Sequence, residues 1–191
     1  WPPGATRPEI FAGVLAALAV DVETVIVVEP AAQRRTLAES LGASAAFDPS
    51  DDPISAIREI TGGAGVRVVF DGVGASTFDA SLDSLSPRGL LCLFGAASGP
   101  VPPVDPQRLN AAGSVFLTRP TLADYIATTE EFRSRAVEVL EGVVDGTLRL
   151  SVGATFGLSE AAEAHRQPVV VVPETHARLA FDAEVDQVHR I

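Results

Sequence analysis

Glu29 is the side chain whose type and position promise the most definite chemistry. It closes an apolar run, Thr24-Val25-Ile26-Val27-Val28, that reads as a central strand. An acid at the end of the second strand of a dinucleotide-binding fold accepts hydrogen bonds from the adenosine ribose hydroxyls. The alternative is a solvated acid at a strand end, and position alone weighs the two equally. Arg34 stands a little further on, early in the next helix. It either pairs with a ribose 2′-phosphate or lies on the surface. Glu29 favours NAD and Arg34 favours NADP, so the two residues pull in opposite directions.

A second group of residues is small rather than reactive. The run Val66-Arg67-Val68-Val69-Phe70 ends in Asp71-Gly72-Val73-Gly74. Leu90-Leu91-Cys92-Leu93-Phe94 ends in Gly95-Ala96-Ala97-Ser98-Gly99, and Ser114-Val115-Phe116-Leu117 ends in Thr118-Arg119-Pro120. Three strands with small residues at their carboxyl ends leave bare backbone there, and a flat ligand approaches such backbone closely. Asp71 reads as the cap of a nearby turn rather than as an acid or base.

Other constellations fall short. A dinucleotide fold needs a first strand and a glycine-rich turn that holds the pyrophosphate at a helix N-terminus. Gly4-Ala5-Thr6-Arg7-Pro8-Glu9-Ile10 offers one glycine and follows no apolar strand. Tyr125 is followed at Thr129 by no lysine, and His165, His176 and His189 have no metal-ligand spacing. Ser98 lacks the G-x-S-x-G surround of a nucleophile elbow. No nucleophile stands with a base, so no catalytic residue is assigned.

The elements that must position these residues alternate. Helices are expected at Pro8–Val20, Ala31–Leu41, Pro53–Ile60 and Thr77–Leu85, the last broken by Pro87-Arg88-Gly89. Short strands are expected at Ala45–Phe47 and after the loop Gly62–Gly65. The segment from Pro100 to Pro106 reads as a Pro-rich loop. Thr128-Thr129-Glu130-Glu131 has capping-box spacing and opens a helix to about Asp145, with Phe132, Ala136, Val139, Leu140 and Val143 as its buried stripe. Leu148–Phe156 reads as a strand, Leu158–Arg166 as a helix capped by Ser159, and Pro168–Pro173 as a strand. Alternating strands and helices are the pattern of a doubly wound parallel sheet.

Composition narrows the class. The chain has 191 residues, 47% hydrophobic and 20% charged, which is enough for one well-buried domain. Its net charge is -11, and all 14 basic residues are arginine. An acidic chain without a basic cluster is a poor partner for nucleic acid or an anionic membrane surface. Cys92 is the single cysteine, which argues against a disulfide framework and for a cytoplasmic setting. Residue 1 is Trp and there is no Met, so the chain reads as a piece, or a processed product, of something longer.

The segments "ITGGAGVRVVFDGVGASTFDASLDSLSPRGLLCLFGAASGPVPP", "LNAAGSVFLTRPTLADYIAT" and "LSEAAEAHR" resemble the quinone oxidoreductase (zeta-crystallin-like) branch of the medium-chain dehydrogenase/reductase superfamily. The resemblance covers roughly Val25 to Arg166, and DGVG, FGAASGPVPP and FLTRP are its most specific parts. It implies a Rossmann-type α/β domain whose first strand and glycine-rich turn are missing, over residues 1–173. Residues 174–191 form a divergent tail. It also implies an absent GroES-like substrate domain and hydride transfer from NADPH or NADH to a quinone or enone, without zinc.

By this resemblance Gly72, Val73 and Gly74 lie beside the cofactor. Phe94, Gly95 and Ala96 line the nicotinamide side, and Phe116, Leu117 and Thr118 offer backbone groups to the carboxamide. Arg34 takes the place of a lysine that binds the 2′-phosphate, while Pro49 stands where a tyrosine commonly helps hold it. The strand Ser114–Leu117 is expected to pair with its twofold mate in a homodimer. The alternative is a non-catalytic Rossmann remnant that self-associates without binding a dinucleotide. An adenosine-binding methyltransferase fold also places an acid after its second strand, but the FLTRP segment counts against it.

Overall fold

The computed structural model describes residues 23–145 and 156–164. The chain divides into two units, one formed by Trp1–Phe47 with Ala136–Ile191 and the other by Asp48–Arg135. The expected helix Pro8–Val20, the glycine-poor stretch before it and the strand Pro168–Pro173 lie outside the described residues. So do the bulk of the expected strand Leu148–Phe156 and the 173/174 boundary.

The first unit contains β1 (Ile26–Val28), α1 (Ala32–Ser40) and β2 (Ala45–Phe47). The strands pair in parallel, Val27 opposite Ala46, with α1 as the crossover that parallel pairing requires. Gly42, at φ 107°, ends the helix in a conformation that other residues seldom adopt. Among the described residues of this unit, Val25, Val27, Ala38 and Ala43 form a small core.

The second unit carries the longer run. Its α2 (Pro53–Ile60) starts at Asp52, whose carboxylate accepts the Ser55 amide, with Pro53 in the first turn. The spacing of Ile54, Ile57 and Ile60 predicts one inward face, but only Ile57 is buried and Ile60 is exposed. Strand β3 (Val66–Asp71) leads to α3 (Phe78–Asp83), β4 (Leu85–Leu93), α4 (Pro106–Ala111) and β5 (Phe116–Thr118). The sheet order is β3-β4-β5, parallel throughout. Parallel strands linked by helices are the Rossmann-type α/β pattern expected from the sequence.

One face of this sheet holds the core: Phe78, Leu82, Leu85, Leu91, Leu93 and Val115, with Val69, Leu109 and Leu117 packed against it. Burying a leucine as completely as Leu91 contributes about 2 kcal/mol. The opposite face of β3 is open, with Phe70 58% exposed beside an exposed Val68. The apolar run Val66–Phe70 reads in sequence as a buried parallel strand, and the exposure of Phe70 and Val68 corrects that reading.

Three boundaries also differ. Pro87-Arg88-Gly89 does not break a helix; α3 has already ended at Asp83, and these residues form an irregular part of β4 where the register with β3 shifts. The Pro-rich segment ends in the short helix α4, because Asp105 accepts the Gln107 amide and Pro106 occupies the first turn. The expected strand Ser114–Leu117 is β5 at Phe116–Thr118. Ser114 has φ 56°, and the Val115 amide donates to the Leu109 carbonyl instead of to a ladder.

Helices α5 (Leu122–Tyr125) and α6 (Thr129–Val144) follow. Thr128 and Glu131 form the expected capping box: the Glu131 carboxylate accepts the Thr128 amide, and the Thr128 hydroxyl accepts the Glu131 amide. The stripe expected to be buried is not, since Phe132, Val139 and Leu140 are exposed. Ala136 and Val143 of that stripe are half-buried, and local capping sets where the helix begins. A 3-10 turn, Leu158–Glu160, then leads into α7 (Ala161–Ala164). Its N-cap is Gly157, whose amide donates to Glu160, rather than the expected Ser159.

Candidate functional site

At the carboxyl ends of β3 and β4 two loops lie backbone against backbone. Gly72 sits under the Phe94 ring, where an added Cβ would come within 2.8 Å of it. A Cβ on Gly95 would overlap the Gly72 carbonyl outright. Gly74 has φ 94°, and a Cβ there would meet the Gly99 carbonyl at 2.8 Å. Gly74 and Gly95 need glycine because another main chain occupies the side-chain space, whereas at Gly72 the tip of the Phe94 ring occupies it.

Hydrogen bonds join the same loops. The Asp71 carbonyl accepts the amides of Phe94 and Gly95, and the Gly72 carbonyl accepts the Ala97 amide. Ser98 bridges the loops: its amide and its hydroxyl both donate to the Val73 carbonyl, while its oxygen accepts the Ser76 amide at 3.0 Å. Below the turn, the Asp71 carboxylate is 4% exposed. Its Oδ1 accepts the amides of Val73 (2.8 Å) and Gly74 (3.0 Å), and its Oδ2 accepts the hydroxyls of Thr77 and Ser81, each at 2.8 Å. The reading of Asp71 as a turn cap therefore holds, with more partners than a cap requires.

The third strand joins through Arg119. One guanidinium nitrogen, Nη1, donates to the Phe94 carbonyl at 2.9 Å and to the Pro120 carbonyl at 3.2 Å. Thr118 lies opposite Cys92, two residues before Phe94, so it stands nearest this end of β5. Leu117 packs into the core, and Phe116 lies further back, opposite Leu90. Burial pushes the Cys92 thiol up, against a smaller downward pull from Arg119. A thiol held up by burial is a poor candidate for a nucleophile.

The structure brings Gly72, Val73, Gly74, Phe94, Gly95 and Ala96 together as one platform, with Ala96, Ala97 and Ser98 at its exposed rim. The sequence pattern gave no site role to Ser98 or Arg119. Their signals were a serine inside a strand-terminal glycine loop and an arginine ending the next strand.

Glu29 and Arg34 belong to the other unit, where they pair with one another. Arg34 Nη1 lies 3.4 Å from Glu29 Oε1, which also accepts the Ala31 amide at 2.9 Å. Glu29 is 2% exposed. Arg35 donates to the carbonyls of Glu29 and Pro30, fixing the start of α1. The opposition between these side chains inferred from sequence is, in the structure, an ion pair.

This arrangement of parallel strands and glycine loops has known relatives. Residues 11–142 match the family described as zinc-binding dehydrogenase, and the chain belongs to that family. It is 39% identical over 136 residues to a quinone oxidoreductase of Pseudomonas aeruginosa, covering 71% of this chain and 42% of that protein. It is 42% identical over 118 residues to a 2-haloacrylate reductase of a Burkholderia species, covering 61% of this chain and 35% of that one. Among solved structures it resembles a mycobacterial protein complexed with NADPH, at TM-score 0.71 and 48% identity, covering 80% of this chain and 48% of the other. The chain spans less than half the length of each of these relatives. They place it in the quinone-oxidoreductase branch that its DGVG and FLTRP segments resemble, over that branch's C-terminal part.

Among the described residues, no group of three or more His, Cys, Asp or Glu side chains is placed to hold a metal ion. Among the same residues, no helix is long and apolar enough to cross a membrane.

Proposed function

We propose that this chain is the dinucleotide-binding part of an NAD(P)H-dependent oxidoreductase that reduces a quinone or another electron-poor alkene. The observation that carries the reading is the platform of Gly72–Gly74 and Phe94–Ala96, bare backbone fixed at the carboxyl ends of parallel strands. The relatives are named for reactions on quinones and on a haloacrylate, which share an activated double bond. The nicotinamide supplies the hydride when bound. Gly72, Val73, Gly74, Phe94, Gly95 and Ala96 pack against it, and the backbone of Phe116, Leu117 and Thr118 orients its carboxamide. No side chain of this chain is given an acid or base role. The setting is cytoplasmic, with neither nucleic acid nor membrane as a partner, and no zinc takes part.

Cofactor choice turns on the Glu29–Arg34 pair. While Glu29 holds Arg34, the arginine is only partly available to a 2′-phosphate, and the carboxylate repels one. Binding is therefore weak, with little preference between NADPH and NADH. Glu29→Ser releases Arg34 and is expected to shift the affinity ratio toward NADPH by about tenfold, the size of one strong charge interaction. An unchanged ratio in fluorescence titrations would remove Glu29 and Arg34 from the ribose site. The chain by itself is expected to reduce quinone no faster than the uncatalysed reaction. Clear turnover by the purified 191-residue chain contradicts that expectation.

A second reading is a non-catalytic domain that self-associates and binds no dinucleotide. The near-complete burial of Glu29 favours it, because a ribose cannot reach a covered carboxylate. NADPH titration separates the two readings, since only the first predicts saturation.

Both readings include a homodimer. Among the described residues strand β5 lies at one edge of its sheet, and an apolar edge strand is a template for another strand. An isologous twofold contact closes such pairing at two chains. Val115→Pro is a poor test, since the Val115 amide already bonds to Leu109. Sedimentation is the better one: a dimer is expected at micromolar concentration, and a monomer there sinks the proposal.

A further inference from the structure

We infer that Asp71 is a positioning residue that sets the shape of the Gly72–Gly74 turn for the dinucleotide and takes the Val73 and Gly74 amides out of phosphate binding. The inference rests on the dinucleotide reading above. A glycine turn at a strand end commonly offers its free amides to a phosphate. Here the amides of Val73 and Gly74 both point at Asp71 Oδ1 and are spent on it. The carbonyl side is spent as well: Gly72 on Ala97, Val73 on Ser98, and Gly74 on Thr77 and Phe78.

With the Val73 and Gly74 amides satisfied internally, these two residues meet a ligand through shape rather than by donating hydrogen bonds. Gly74 is buried and Gly72 and Val73 are half-buried, so what the turn offers suits the side of a ring or a ribose rather than a diphosphate. Asp71 is in effect an internal anion occupying the turn from below. Its other oxygen takes the hydroxyls of Thr77 and Ser81, which ties the turn to the first residues of α3. A carboxylate engaged by four donors and 4% exposed is out of a substrate's reach, so it acts through the turn alone.

The test uses the full chain, with NADPH as probe, in four forms: unmodified, Asp71→Ala, Asp71→Asn and Ile57→Ala. Ile57 is a buried residue of α2 outside the platform and controls for destabilisation alone. Asp71→Ala is expected to weaken NADPH binding by about tenfold or more, because a misplaced contact surface loses affinity steeply. Asp71→Asn, which keeps the shape and one acceptor, restores part of that loss. Ile57→Ala lowers the melting temperature and leaves affinity unchanged.

Amide exchange supplies a readout that needs no ligand. In Asp71→Ala the Val73 and Gly74 amides exchange faster, while those of β4 stay protected. If Asp71→Ala does not fold, Thr77→Val removes one hydroxyl at constant shape, and a smaller loss of affinity is expected. Unchanged exchange at Val73 and Gly74 overturns the clamp. Unchanged affinity in a folded Asp71→Ala, or in Thr77→Val, overturns its role in binding. Failure of the unmodified chain to bind NADPH overturns the dinucleotide reading and takes that role with it, while the exchange result still decides the clamp.

Discussion

The two ends of the β3–β4–β5 sheet use glycine in the same way and finish differently. At the amino end, a Cβ on Gly65 would meet the backbone of Ser84 and Leu85, and one on Gly89 would meet the Ser86 carbonyl. Arg88 and Ser114 both take positive φ there. This crowding yields packing and little else, and it leaves the Ser86 hydroxyl buried without a partner. At the carboxyl end, the same close approach of main chains comes with a buried carboxylate engaged by four donors and an exposed rim at Ala96–Ser98. Bare backbone alone therefore does not mark a site. A site needs that backbone fixed, satisfied and open to solvent on one side.

Substitutions at the two ends sharpen the contrast. Gly95→Ala carries the largest expected effect, since its methyl group overlaps a carbonyl that cannot move freely. Overpacking of this kind costs about 3 kcal/mol at the upper end of its usual range, and NADPH binding should fall with it. Gly65→Ala faces a similar clash and a φ of 82°, so urea denaturation should report a loss of about 2 kcal/mol. Its affinity for NADPH should survive under conditions where the chain stays folded. Equal losses of affinity from both variants would erase the difference between the ends.

Ser86→Ala tests the amino end from the other direction. Removing a buried hydroxyl that lacks a partner should leave stability unchanged or raise it by up to about 1 kcal/mol. Thr77→Val, at the other end, removes a hydroxyl that is fully engaged and should destabilise by about 1 kcal/mol. Opposite signs in thermal melts support the contrast, and two losses of similar size break it.

The smallest effect belongs to α6, outside both ends. Hydrogen bonds from the Thr128 backbone, and then from its hydroxyl, hold the Glu131 carboxyl below its ordinary range. A lowered folded-state pKa means the cap's contribution is fully present above the unfolded glutamate value. It is lost as pH falls through the folded one. Helicity of residues 129–144 should decline in that acid window, and Glu131→Gln should remove the dependence. An identical acid profile in Glu131→Gln would assign the decline to another group.

Much of this architecture is legible in residues whose signals are local. Pro53–Ile60 and Ala45–Phe47 match their observed bounds, and the Thr128–Glu131 box forms as its spacing demands. The glycine loops after β3 and β4 were also legible, because a run of small residues after an apolar strand has few other uses. Less legible was whatever depends on neighbours distant in sequence. Helix α4 hid in a Pro-rich segment, although Asp105-Pro106 is itself a helix-start signal. The stripe of α6 has the right period, but period cannot say whether anything covers it. The sequence shows Glu29 and Arg34 as separate signals, and only three dimensions show that each is the other's partner. The same limit hid Ser98 and Arg119, whose partners Val73 and Phe94 are remote in the chain.

The central claim is that the Gly72–Gly74 and Phe94–Ala96 loops form a dinucleotide platform, and residue-resolved NMR titration of the chain with NADPH tests it most directly. Saturable shifts concentrated at the amides of Gly72, Gly74, Phe94, Gly95 and Ala96, with Gly65, Gly89 and Gly113 unmoved, are the predicted result. Saturable shifts confined to other residues, or no saturation at all, would contradict the account.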